Sequence, residues 1–272
     1  MLIGRRTQLI AEIKILKGLI VAARKRAKTT AIATAPSSFK TEDTGKIFEY
    51  AICLAIGTPF QGSYKYSVEE ATTLAPRIAA LLGRVSSVRP AFTHTAGRGG
   101  RYDFTAPATE DGTPPLHLSA KTTKRGVGMI APQVIGQAQP AKFCEVLGIP
   151  YMSSEGNVAL KRHIQENITA LLPALAHFAF DCPTLFYNKG SDQMCHVVVR
   201  EPIPWREMTF SWSRPWDSWT NSSSLMLTLP GAAAPVRLME FQFHTTRTNM
   251  AVRWCYETFL AVFKPHLDIQ VG

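Results

Sequence analysis

The chain has 272 residues, of which 46% are hydrophobic and 18% charged, with a formal net charge of +10 and a pI near 9.5. That apolar share supports a packed core and excludes an intrinsically disordered chain, while the length allows one large domain or two small ones. The basic surplus points to a polyanionic partner, nucleic acid ahead of an anionic membrane surface.

Membrane insertion is not expected. The longest apolar run near the start, from Ile15 to Ala23, is broken by Lys17 and Gly18, and a span needs roughly 20 apolar residues. No secretory cleavage pattern follows the basic start. The cysteines, Cys53, Cys144, Cys182, Cys195 and Cys255, form no CxxC pair. They read as buried free thiols of a cytoplasmic protein, not as a zinc site.

In chain order, residues 5–28 read as a basic amphipathic helix, with Leu9, Ile10, Ile13, Leu16, Ile20 and Val21 at helical spacing and Arg24, Lys25, Arg26 and Lys28 at its end. Small polar residues over 29–40 read as a linker. The division expected is therefore 1–40, a basic helix and linker, followed by a main domain over 41–272. Thr41, Glu42 and Asp43 supply helix-start chemistry for a helix carrying Ile47, Phe48, Ala51, Ile52, Leu54 and Ala55. Another helix runs from about Ser67 to Leu82.

From Arg101 to Lys121 the period changes to two. Arg101-Tyr-Asp-Phe-Thr105 alternates, and so does Leu116-His-Leu-Ser-Ala-Lys121, with Glu110-Asp-Gly-Thr113 between them. This is a β-hairpin signal. Leu116, Leu118 and Ala120 are expected to face the core, and His117, Ser119 and Lys121 the other side. A turn centred on Asp111-Gly112 sets Asp103 opposite the stretch Ser119–Lys121. A helix is expected from Pro132, with Gln133 and Gln137 on one face, and another from Asn157 to about Phe178. Strands follow at Thr184–Tyr187, Cys195–Arg200, Thr209–Trp212, Leu225–Leu229 and Val236–His244, and a last helix at 249–263. The mixture predicts an α/β or α+β fold, with a central mixed sheet flanked by helices.

Asp103 and Lys121 on one face of a hairpin suit phosphodiester hydrolysis. A carboxylate can hold Mg²⁺ against a phosphate, and a neighbouring lysine can orient or deprotonate a water or stabilise the transition state. Here the chain resembles the PD-(D/E)xK nuclease superfamily, type II restriction endonucleases in particular. Asp103 matches the family's strand-end aspartate, and Ser119-Ala120-Lys121 its acid-x-lysine, with serine in place of the acid. Glu49, in Gly45-Lys-Ile-Phe-Glu49-Tyr50, matches a helical glutamate and is the candidate second metal ligand. Gln133 matches a glutamine that follows the lysine strand. The resemblance implies a restriction-endonuclease-like core and a Mg²⁺-dependent, sequence-specific endonuclease of double-stranded DNA. It also implies a homodimer for a palindromic site.

DNA-contact candidates are spread more widely. Lys124 and Arg125 lie in the basic loop after the lysine strand, and Gln137 four residues beyond Gln133. Leu238-Met-Glu-Phe-Gln-Phe-His244, with Arg247 and Arg253 after it, resembles a recognition segment of some type II restriction enzymes. Gln242, His244 and Arg247 are the candidate base readers, and Arg253 a further DNA-binding candidate, within a recognition region over about 184–260. Trp205 to Trp219 interleaves four tryptophans with Arg206 and Arg214, a composition that suits DNA contact or a dimer interface. Glu240-Phe-Gln242, with Asp217 upstream, is a second-ranked catalytic assignment. Two competing functions remain open: a DNA-binding protein whose missing acid marks a decayed site, and a structure-specific repair or recombination nuclease.

Overall fold

The computed structural model describes residues 41–85, 91–96, 100–110, 112, 114–124, 128–151, 156–244 and 248–272. The basic helix and linker expected over 1–40, and the readings at Arg125 and Arg247, lie outside the described residues.

Two helices open the fold, α1 (Thr41–Ile56) and α2 (Val68–Val85). Ile47, Phe48, Ala51 and Ile52 on α1 and Ala71, Leu74, Ile78 and Leu81 on α2 recur at helical spacing, and all are buried. Ser67 caps α2, its hydroxyl accepting the Glu70 N–H at 3.1 Å.

The first sheet has six strands in the order β1 (Thr93–His94), β2 (Phe104–Ala106), β3 (Leu116–Thr123), β5 (Thr184–Asn188), β6 (Gln193–Val199) and β11 (Leu267–Val271). It is mixed: β3 runs parallel to β5, and the other neighbours are antiparallel. Phe104, Leu118, Leu185, Tyr187 and Met194 from this sheet pack with α1 and α2 in one core.

A second, larger core lies on the other side of the first sheet. There Phe186, Cys195 and Val197 meet the helices α3 (Pro140–Leu147), α4 (Gly156–Glu166), α5 (Ile168–Phe180) and α6 (Tyr256–Phe263). The same core takes in a five-stranded antiparallel sheet ordered β4 (Met129–Ile130), β10 (Met250–Cys255), β9 (Val236–Phe243), β8 (Ser222–Thr228) and β7 (Thr209–Trp212). The fold is thus mixed α/β with a mixed central sheet and flanking helices. Among the described residues no helix is long and apolar enough to cross a membrane. All five cysteines are free, and four of them are buried.

Several sequence expectations are corrected here. Residues 133–137 form a turn with Val134 at φ 62°, not a helix; the helix starts at Pro140, whose missing N–H suits the first helical position. The single helix expected over 157–178 is two, broken at Asn167 (φ −115°, ψ 16°). Residues 250–255 form β10, and only Tyr256–Phe263 is helical. Leu116, expected in the core, is 43% exposed at the end of β3.

His196 in β6 is buried, and burial pushes its pKa below the ordinary 6.5. The unfolded chain therefore takes up a proton below about pH 6.5 that the folded chain refuses until lower pH, and stability falls as pH drops through that window. Melting curves between pH 7.5 and 5 should fall less steeply for His196→Asn than for the wild type. Parallel curves would show that His196 does not carry the acid sensitivity.

Candidate active site

The hairpin forms in the register Phe104↔Leu118, Thr105↔His117 and Ala106↔Leu116. Continued by one residue, this sets Asp103 beside Ser119, at one end of the stretch expected from the turn. Asp103 has its backbone carbonyl pinned by two N–H groups, from Thr95 at 2.9 Å and Ala96 at 3.1 Å. Its Oδ2 accepts from the Ala120 N–H at 2.7 Å, the Ser119 hydroxyl at 3.1 Å and the Gln133 amide at 3.3 Å. The Gln133 amide also donates to the Ser119 oxygen at 2.7 Å. Ser119 is thus a hydrogen-bond donor to the aspartate. Asp103 Oδ1 takes no hydrogen bond among the described residues.

Gln133 reaches this node from the 133–137 turn rather than from a helix. The turn is fastened through Gln133 N–H to the Phe178 carbonyl at 2.8 Å, and through the Gly136 and Ala138 carbonyls to the N–H groups of Val252 and Met250, each at 2.9 Å.

Lys121 lies two residues beyond Ser119 on the same face of β3. Its Nζ has no hydrogen bond or ion pair among the described residues. Burial pushes its pKa down, opposed by the nearby charges of Asp103, Cys182, Glu49 and Asp181. Cys182 is no rival nucleophile, because burial and the Asp181 and Asp103 carboxylates push its thiol up to about 12.

Glu49, on the third turn of α1, is buried over β3. Its Oε2 accepts from Lys46 Nζ at 2.6 Å and faces His94 Nε2 at 3.1 Å. Oε1 is without a hydrogen bond among the described residues.

Sequence reading missed the edge of this site. Arg101 Nη2 and the Tyr102 hydroxyl both donate to Asp181 Oδ2, at 2.8 and 2.7 Å, and Tyr102 stacks on His117 at 3.8 Å between centroids. Arg101 and Tyr102 immediately precede Asp103 in sequence, but Asp181 and His94 carried no signal, since their partners lie far off in the chain.

The remaining candidates sit elsewhere. Glu240 and Gln242 share a face of β9, with Ser224 and Ser222 of β8 and Arg253 and Ala251 of β10 as their register partners. Arg253 comes within 3.9 Å of Glu240. His244 lines a cleft with Gln139, Tyr151, Asn157, Thr248 and Asn249. Arg214 and Gln137 are exposed, and Lys124 is half-buried after β3. The tryptophan stretch is largely structural: Trp205 and Trp219 are buried, and Arg162 covers the Trp216 ring at 4.1 Å. The Glu240 and Asp217 alternative gains no support, because Asp217 stands on an exposed turn outside any strand.

Among the described residues, no three His, Cys, Asp or Glu side chains cluster as a metal cage. Mg²⁺ does not require one, since it keeps several waters and binds through one or two carboxylates. Asp103 Oδ1 and Glu49 Oε1 are hard oxygen donors of the kind it takes.

No family model matches the chain, and no solved structure matches it. The chain is 33% identical over 233 residues to the type II restriction enzyme CviAII of Paramecium bursaria Chlorella virus 1. The alignment covers 85% of this chain but 63% of that enzyme, so the chain spans less than two thirds of its relative's length. By sequence, then, the protein is similar to a type II restriction enzyme over most of its own length.

Proposed function

We propose that this protein is a type II restriction endonuclease of the PD-(D/E)xK superfamily. It hydrolyses double-stranded DNA at a specific sequence with Mg²⁺, as a cytoplasmic homodimer within a restriction-modification system. One observation carries the reading: Asp103, fixed through one oxygen by three donors, stands beside a half-buried lysine that has no hydrogen bond or ion pair among the described residues. An arrangement serving stability alone pairs its buried charges. The similarity to CviAII supports the same reading.

In this mechanism Asp103 and Glu49 would hold Mg²⁺, which when bound offsets charge on the phosphate and acidifies a water. Ser119 and Gln133 keep Asp103 Oδ2 occupied, so Oδ1 is the oxygen left to the cation. Lys121 acts on the phosphate or on the attacking water. As ammonium it stabilises charge developing in the transition state. Base reading belongs to Gln242, His244, Arg247 and Arg253, with Gln242 and Arg253 on the polar face of the second sheet, and phosphate contact to Lys124, Arg125, Gln137 and Arg214.

Digestion of plasmid DNA tests the whole reading. With Mg²⁺ we expect discrete fragments whose ends share one sequence, and with excess EDTA no cleavage. Full-rate cutting in chelator removes the metal assignment. A smear favours a structure-directed nuclease, and intact DNA that is nonetheless bound favours the decayed site.

A further inference from the structure

His94 has no place in the mechanism above, yet its side chain faces one proposed carboxylate ligand and its strand runs beside the other. It is 2% exposed on the two-residue edge strand β1. Its Nδ1 accepts the backbone N–H of Gln61 at 2.9 Å. A neutral imidazole with Nδ1 accepting carries its proton on Nε2, and Nε2 lies 3.1 Å from Glu49 Oε2. The ring is stacked on Phe60 at 4.5 Å and 26° and packed on Phe104 at 5.1 Å, so it cannot swing away.

The other end of the same short segment holds Asp103. His94 pairs in register with Phe104, the residue after Asp103, and Thr95 and Ala96 donate to the Asp103 carbonyl. Three consecutive residues, His94 to Ala96, therefore grip the Glu49 side chain and the Asp103 backbone together. With Lys46 also on Oε2, the two donors that reach Glu49 among the described residues engage one oxygen and leave the other for a ligand.

The geometry points to His94 as a positioning residue: its Nε2–H holds Glu49 so that Oε1 is presented on the Asp103 side of the site. The inference rests on the reading of Glu49 as a metal ligand. Hydrogen-bond partners of ligating carboxylates typically contribute about 10- to 100-fold to metal affinity.

The test uses the full chain without DNA. Mn²⁺ alone is titrated calorimetrically into the wild type, His94→Phe, His94→Gln, Glu49→Ala and the double variant His94→Phe with Glu49→Ala. His94→Phe keeps a ring between Phe60 and Phe104 and removes the donor; it should weaken Mn²⁺ by about 10- to 100-fold. His94→Gln restores an N–H donor and should recover most of that loss. In the double variant, loss of His94 should add nothing to loss of Glu49. Wild-type Mn²⁺ affinity in His94→Phe, with Glu49→Ala weakened, overturns the positioning role and leaves Glu49 standing. Unchanged affinity in Glu49→Ala instead overturns the ligand assignment itself. Should His94→Phe fail to fold, the glutamine variant and the ¹⁵N spectrum of the wild-type imidazole decide. Protonated Nε2 with bare Nδ1 is expected, and a proton on Nδ1 overturns the proposal.

Discussion

Lys121→Ala should lower the DNA cleavage rate by about a hundred- to ten-thousandfold, the loss typical of an electrostatic or proton-transfer group at a reacting centre. The same change should leave duplex binding nearly intact, since phosphate contacts elsewhere supply the affinity. Stability should move the other way. Burial depresses the Lys121 pKa against the pull of four neighbouring anionic or ionisable groups, which means that the folded state disfavours the ammonium. Lys121→Met keeps the apolar stem and removes the charge, so it should melt at or above the wild-type temperature while cleaving as poorly as the alanine variant. A residue that costs stability and is needed for turnover is what a functional site contains. Wild-type cleavage by either variant removes Lys121 from the chemistry. A large fall in melting temperature for the methionine variant shows instead that the lysine is structural.

The second large effect is expected at Gly136, in the 133–137 turn. A Cβ placed there would lie 2.4 Å from the Pro132 carbonyl oxygen and 2.7 Å from Ala131 Cβ. Neither neighbour is the free end of a flexible side chain. Gly136→Ala must therefore shift the backbone of the turn, and the turn carries Gln133. Overpacking of this kind costs about 1–3 kcal/mol. The catalytic cost should be greater, about a hundredfold, because displacement of a positioning group by an ångström is enough. Gln133→Ala separates the two effects: it should slow cleavage without the loss in melting temperature. If Gly136→Ala melts and cleaves like the wild type, the turn has room the geometry does not reveal.

How much of this was legible beforehand depends on the range of the contacts. Helices α1 and α2 were readable because their apolar residues keep a single period and one face is solvated. The hairpin register was readable by counting outward from Asp111-Gly112, which placed Asp103 within a residue of its observed neighbour Ser119. Residues 250–255 misled because Met250, Ala251, Val252, Trp254 and Cys255 are all buried. A strand buried on both faces has no alternation, and its apolar spacing passes equally for a helix. Pro132 misled because proline opens turns as well as helices, and Pro140 was the one that opened a helix. The link from His94 to Glu49 was invisible, since its partners lie 45 residues apart.

The fastening of the Gln133 turn has a consequence for the order of assembly. Asp103, Ser119 and Gln133 meet only where β10, made more than a hundred residues later in the chain, supplies the Val252 and Met250 N–H groups that hold the turn. The parallel strand β5, which flanks the Ser119 strand, also arrives late, because parallel neighbours need a long crossover. Contacts closed over such lengths form slowly and together. A nascent chain, or one partly unfolded near its C-terminal third, therefore holds the aspartate without the groups that orient it. Under the proposed function, cleavage would therefore begin only once residues 250–252 have joined the fold.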